Sequence, residues 1–238
     1  MNARFQALPG AIVGRIPLAG ARGGTRDHAE GPMRLYYTPG ACSQAVHIAL
    51  RESGAPFETE RVDLKTKRTE RGADYRKVNP KGYVPALKLD DGQILTEVSA
   101  LLQYVGDIRP EKGLAPPAGT FERYRLAEWL GFVSTELHTQ FWPFFRGGTL
   151  EERKQQAKLI GLRFDFVNES LGDGRYLLGD TFTVADCYLF VMTRWAKMNE
   201  MDLVRWPRLA AWAARVGARP AVIRVLEDEG MARETKVA

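Results

Sequence analysis

The sequence predicts two structural units, a mixed α/β unit of about eighty residues and an all-α unit after it. Three observations carry this. Between Met33 and Ile108, short strand-like runs alternate with helix-period stretches in the order βαβαββα, a mixed sheet with helices. Residues 110–119 hold three prolines and two glycines among few apolar residues, the composition of a linker. Beyond Phe121 every long apolar pattern has the period of a helix. The expected division is an extension over 1–32, the α/β unit over 33–111 and the helical unit over 120–238.

The elements follow in order. Met33–Tyr37 reads as a strand that breaks at Pro39 and Gly40. Ser43–Ser53 reads as a helix with Ala45, Val46, Ala49 and Leu50 on one face, stopped by Gly54. Phe57–Leu64 reads as a second strand, followed by a basic loop over Lys65–Arg68 and an irregular stretch to Asn79. Pro85–Leu89 and Gln93–Thr96 read as a hairpin around Asp91-Gly92. Glu97–Ile108 is expected as a helix with Leu101, Tyr104 and Val105 on one face. One long helix is expected over Phe121–Phe145 and another over Leu150–Leu171. The clearest period is Val184, Cys187, Tyr188, Val191, Met192 and Trp195, opened by Thr183 and Asp186 in a capping-box pattern. Pro207 and Pro220 each open a further helix.

Composition narrows the function. The chain has 238 residues, 45% hydrophobic and 26% charged, with a formal charge of +5 and a pI near 9.2. Arg4, Arg15, Arg22 and Arg26 against Asp27 and Glu30 leave the first 32 residues at +2 and the rest at +3. With no basic stripe carrying interleaved aromatics, a nucleic-acid partner is not expected. Small anionic ligands suit the charge better. No apolar run is long enough for a membrane span. Two cysteines, Cys42 and Cys187, far apart and outside any C-x-x-C, make neither a zinc knuckle nor a disulfide framework, and a reducing cytoplasm is the expected compartment. Three histidines without paired ligands make no metal site. Residues 1–32, rich in Gly, Ala, Arg and Pro, read as a flexible extension or as a start assigned upstream of Met33.

The chemistry concentrates at Tyr37-Thr38-Pro39-Gly40-Ala41-Cys42-Ser43. Cys42 falls at a helix start, where free backbone N–H groups and the helix dipole favour a thiolate. A free cysteine is otherwise a small buried hydrophobe, which is the reading for Cys187 in its apolar stripe. The reacting sulfur belongs either to the protein or to a bound thiol.

The order of elements, with Leu35–Ser43, Asn79–Pro85, Leu95-Thr96-Glu97 before a helix, Glu122-Arg123-Tyr124 with Trp129-Leu130 downstream, and Phe182–Asp186, resembles the cytosolic glutathione transferases, and within them the bacterial beta class. The likeness covers about residues 33–230. It implies a thioredoxin-like first domain, glutathione as co-substrate, a small hydrophobic electrophile and a homodimer. By resemblance Cys42 lies beside the glutathione sulfur and forms a mixed disulfide with it. Tyr37 and Ser43 are candidate hydroxyl donors to that sulfur, since other classes use a Tyr or Ser near this point. Val84-Pro85 resembles the cis-proline turn that offers the Val84 backbone to the tripeptide. Glu97 is implied to meet the γ-glutamyl ammonium, the Val98 N–H its carboxylate, and Lys67 the glycine carboxylate. His138 matches a histidine facing the site and, with Thr135, Phe141 and Trp142, is expected to wall the electrophile pocket. Gly131 stands where the class has Asn, and Val98 where it has a small residue or Ser. The implied function is conjugation of glutathione to apolar electrophiles. A reductase or peroxidase using Cys42, and a non-catalytic ligand carrier, are the alternatives.

Overall fold

The computed structural model describes residues 32–231. The extension expected over 1–32 therefore lies, but for Pro32, outside the described residues, as does the C-terminal stretch 232–238. Among the described residues a five-stranded sheet has the order β3-β2-β1-β4-β5, with β1 Met33–Tyr37, β2 Phe57–Asp63, β3 Arg68–Thr69, β4 Ala86–Lys88 and β5 Ile94–Thr96. β1 runs parallel to β2, and Met33 faces Phe57; β4 and β5 join antiparallel through the Asp91-Gly92 turn. The basic loop expected over Lys65–Arg68 closes instead into a hairpin. Lys67 takes the left-handed φ of 59°, and β3 pairs Val62 with Thr69. Two residues of strand are too few for a pattern to register.

Side chains alternate across β1. Met33 and Leu35 face the main core with α1 Ser43–Ser53 and α2 Val98–Ile108. Tyr36 faces the other side with Val62, Tyr75, Val84 and Ala86. That side is covered by a 3-10 turn at Tyr75–Lys77, whose Tyr75 hydroxyl donates to the Tyr83 carbonyl at 2.8 Å. The Val84-Pro85 peptide is cis, as the resemblance implies.

The helical part contains α5 Leu150–Leu171, α6 Val184–Met198, α7 Pro207–Gly217 and α8 Pro220–Asp228. Buried α6 is its centre. Asp186 accepts from the Thr183 N–H at 2.9 Å, the Leu177 N–H at 3.0 Å and Trp212 Nε1 at 2.9 Å, so the capping box also ties a loop and a neighbouring helix to the α6 start. Burial pushes its carboxyl above the usual range, against these donors.

The single helix expected over Phe121–Phe145 is a correction. It divides into α3 Phe121–Phe132, a π turn at Val133–Leu137, a 3-10 turn at His138–Phe141 and α4 Trp142–Phe145. The causes are local. Thr135 Oγ1 donates back to the Gly131 carbonyl at 3.0 Å and Thr139 Oγ1 to the Thr135 carbonyl at 2.6 Å, while Pro143 lacks an N–H.

The two parts share one apolar core, and polar contacts cross between them. Arg219 holds Glu52 at 2.6 and 2.9 Å, Arg51 holds Asp228 at 2.8 Å, and Trp195 Nε1 donates to the Gly40 carbonyl at 2.7 Å.

Candidate active site

A cavity of about 620 Å³ opens where the end of β1, the Val84-Pro85 turn and the start of α2 meet α4 and α6. Its floor comes from the sheet side, including Cys42, Val84, Pro85, Glu97 and Val98. Its far wall is largely aromatic, with His138, Trp142, Phe145, Tyr188 and Trp195.

Cys42 enters the cavity from the N-cap of α1, and its thiol donates to the Val84 carbonyl at 3.4 Å. The expectation of a thiolate is corrected here. The sulfur keeps partial contact with solvent on the cavity side but is packed by protein elsewhere, and burial pushes the thiol up to about 12. The N–H groups of Cys42 and Ser43 pull it down, and the Glu97 charge adds to the rise. The helix end is weaker than a free one because its next donors are taken: the Gln44 N–H bonds the Ala41 carbonyl at 3.0 Å and the Ala45 N–H the Cys42 carbonyl at 3.1 Å.

The turn before Cys42 is held by the helical part. Gly40 has φ 71°, open to glycine, and a Cβ there would lie 2.8 Å from the Met231 methyl. Its N–H donates to Glu229 at 2.8 Å and its carbonyl accepts from Trp195. Glu229 is buried and also takes Gln44 Nε2 at 2.9 Å and His47 Nδ1 at 3.0 Å. His47 is therefore a structural partner of this turn.

Tyr37 and Ser43 do not reach the cavity, which corrects their expected role as sulfur donors. Tyr37 points to the α1 side of β1 and packs 5.6 Å from His47, where burial raises its phenol. Ser43 is buried, donates to the Thr38 carbonyl and accepts the Thr38 N–H, both at 3.2 Å. Sequence neighbours on a strand end and a helix start point to different faces, which proximity in the chain cannot reveal.

Glu97 is the N-cap of α2 with φ 71° and ψ 122°, a conformation costly for a residue with a side chain. Its carboxylate pairs with Lys81 Nζ, which also donates to Thr96 Oγ1 at 2.8 Å. Lys81, within the Asn-Pro-Lys-Gly run, is a site cation that sequence reading did not single out. Lys67 sits behind it: Nζ donates to the Gly82 carbonyl at 2.9 Å and lies 5.8 Å from the Tyr83 ring, outside the cavity lining. Val98 lines the floor at the first turn of α2, and Ser99 Oγ donates to the Leu130 carbonyl at 3.3 Å. Asn79 Nδ2 braces the turn from behind through the Tyr83 carbonyl at 2.7 Å.

On the far wall, His138 Nδ1 lies 2.7 Å from the Tyr188 hydroxyl, and its ring meets Trp195 edge-on at 5.1 Å. Burial pushes the imidazole down to about 4, so it is neutral at pH 7. Of the four residues expected on the wall, Thr135, His138, Phe141 and Trp142, two reach the cavity. Trp142 and His138 line the cavity, whereas Phe141 is buried in the core and Thr135 turns outward. The π turn places one more residue in the turn before His138, so Ser134 takes the place that regular α spacing gives Thr135. Gly131 faces open space. Tyr188 and Trp195 were legible only as helix core. Their inner edges form the cavity wall. Among the described residues no cluster of His, Cys, Asp and Glu suits a metal.

Residues 40–108 match the family described as glutathione S-transferase, N-terminal domain, and residues 154–215 the one described as glutathione S-transferase, C-terminal domain. Glutathione S-transferase GstA of Escherichia coli O157:H7 is 46% identical over 200 residues, covering 84% of this chain and 100% of its own. The crystal structure of a glutathione transferase from Methylococcus capsulatus is 52% identical with a TM-score of 0.81, covering 83% of this chain and 98% of that one. The bacterial beta-class transferase of Sphingomonas chungbukensis is 42% identical with a TM-score of 0.81, covering 84% of this chain and 100% of its own. A sphingomonad transferase solved in complex with glutathione gives the same figures.

Proposed function

Because the chain belongs to the glutathione S-transferase family and groups with its bacterial beta class, we propose that it conjugates the glutathione thiolate to small apolar electrophiles, with Cys42 at the glutathione sulfur. The observation that carries this is one cavity in which the Val84-Pro85 turn and an aromatic wall meet at the Cys42 sulfur. Residues 33–111 supply the glutathione half and the helical part supplies the electrophile half.

Glutathione binds here as an added strand on the Val84 backbone. Its γ-glutamyl end reaches the start of α2, where Glu97 takes the ammonium and the Val98 N–H the carboxylate. Its glycine carboxylate turns toward Lys67. The Lys81 ammonium reinforces the anionic ends and is now occupied by Glu97. The Cys42 thiol, protonated at neutral pH, acts as a hydrogen-bond donor rather than as the nucleophile. With the tripeptide seated on Val84, the thiol proton turns from the Val84 carbonyl to the incoming sulfur, beside the N–H groups of Cys42 and Ser43. Three donors at one sulfur lower its pKa and make the thiolate the resting form. The hydrogen bond between His138 Nδ1 and the Tyr188 hydroxyl fixes the orientation of the imidazole in the wall. The thiolate and the electrophile then meet without the entropy cost of an encounter in solution. With oxidised glutathione, attack of the Cys42 sulfur on the disulfide forms a mixed disulfide and releases one glutathione thiol, a slower branch. The protein works as a cytoplasmic homodimer in detoxification. No described helix is long and apolar enough to cross a membrane.

Retention on immobilised glutathione, followed by rates with chlorodinitrobenzene, a hydroperoxide and a mixed disulfide, tests the reading. Retention with the aryl halide turned over fastest is expected. A fastest mixed disulfide makes the protein a reductase, and failure to bind glutathione removes the functional reading altogether.

A further inference from the structure

The electrophile half of the cavity contains a cation that the transfer reaction as described does not use. Arg146 lines it from the C-cap of α4, with its guanidinium carbon 4.2 Å from the Trp142 ring centroid and 5.6 Å from that of Tyr83. Trp142 and Arg146 are four residues apart on one helical turn, and the Arg146 N–H closes on the Trp142 carbonyl at 2.9 Å. The side chain is therefore set over the indole before any ligand arrives. Among the described residues no hydrogen bond or ion pair occupies the guanidinium N–H groups, which can receive a carboxylate in a bidentate contact. No carboxylate among the described residues is within ion-pair distance of Arg146, whereas Lys81 is neutralised by Glu97. His138 carries no charge at neutral pH, and Arg146 is one of the groups that hold it so. Among the described residues the aromatic wall thus carries a single uncompensated positive charge, at its rim, beside Trp142 and Phe145.

We propose that Arg146 favours electrophiles that carry a carboxylate, so that this transferase prefers aromatic or unsaturated acids to neutral compounds of the same ring and leaving group. The inference rests on the conjugation reading above. An acid seated against the wall places its ring among Trp142, Phe145 and Trp195 and its carboxylate on the Arg146 edge, with the reacting carbon toward the sulfur. For a chloroarene acid, the glutathione sulfur forms the new C–S bond, chloride leaves with the C–Cl pair, and the thiol proton goes to solvent. The guanidinium holds a charge that does not change during reaction, so its effect belongs to binding and orientation. The same edge would also suit the glycine carboxylate of glutathione, and the two uses separate kinetically.

The test compares a chlorodinitrobenzoate, its carboxylate para to the chlorine, with its methyl ester. Ring, leaving group and reaction are the same, and only the charge differs. Wild-type protein is expected to prefer the acid in kcat/KM after correction for uncatalysed reactivity. In Arg146→Met the acid-to-ester ratio should fall about tenfold, the size of a part-exposed bidentate contact, and in Arg146→Lys it should recover in part. The wild-type preference should shrink as salt is raised. Equal loss for acid and ester, or a KM for glutathione that rises by the same factor with the ester as acceptor, overturns the assignment. Quenching of tryptophan emission by the chlorine-free dinitrobenzoate and its ester reads the same preference without turnover. A protein that conjugates neither compound thereby fails as a transferase, while the role of Arg146 stands or falls on the binding preference alone.

Discussion

Glu229 accepts the Gly40 backbone N–H at 2.8 Å, 189 residues away in the chain, and so fixes the turn that presents Cys42. The same carboxylate holds Gln44 and His47 on the first turns of α1, all of it out of water. A buried carboxyl group with three hydrogen-bond partners is strongly stabilising only while all of them are present. Glu229→Ala leaves those donors buried and unpaired. Its unfolding free energy should fall by about 3 kcal/mol, read as a lower urea midpoint at unchanged slope, with a raised KM for glutathione. A loss below about 1 kcal/mol would show that the turn is held by something else.

The Cys42 thiol is expected to behave as a poor nucleophile in the free protein. Its alkylation by iodoacetamide, followed by mass, should keep rising with pH through the weakly alkaline range, as a thiol near 12 requires. Cys187 is buried and should stay silent. A rate that levels off near neutrality would restore the thiolate that the helix start alone suggests.

His138 should make stability pH-dependent. Its folded-state value of about 4 lies below the ordinary 6.5, so the contribution of the neutral ring is complete above about 6.5. It is lost as pH falls toward about 4, approaching about 3 kcal/mol when the buried ring must charge. Subtracting the profile of His138→Phe from that of wild type isolates this slope from the carboxylates. Parallel profiles between pH 6.5 and 4 would refute it.

Glu97 should separate stability from binding. Its pair with Lys81 is largely exposed, with the Glu97 side chain 72% accessible, so its loss costs little stability. Its left-handed φ costs any residue but glycine about 1 kcal/mol or more. Glu97→Gly should therefore unfold at a higher urea midpoint than Glu97→Ala, while both bind glutathione about tenfold more weakly on calorimetric titration. Equal midpoints for the two variants would remove the strain argument, and unchanged affinity would remove the carboxylate from the site.

What the sequence made legible was local. The Asp91-Gly92 hairpin and the Thr183–Asp186 start of α6 each depend on neighbours within four residues and form as read, and the β1 turn into α1 also forms as read although Glu229 and Trp195 hold it from the helical part. Thr135 failed because a π turn leaves no mark in the apolar period. Ser43 and Tyr37 failed because a face, not a distance along the chain, decides what reaches a cavity. Glu229, Trp195 and Lys81 act through partners or surroundings that only folding brings together. The Cys42 shift was missed because desolvation is a property of packing, whereas the helix end that opposes it is written in the sequence.

The widened turn at Val133–Leu137 has a further meaning for how this cavity changes by descent. A π turn houses one residue more than an α turn while both flanks keep their positions, so it is a length change stored inside a helix. Removing one residue between Ser134 and Leu137 would close it to ordinary α geometry with Leu130 and His138 still in place. Loops usually absorb insertions and deletions, far from the packed wall of a site. Here the wall itself has a position where chain length can drift by a single codon, exchanging the hydroxyl that faces the cavity while the core behind it stays in register.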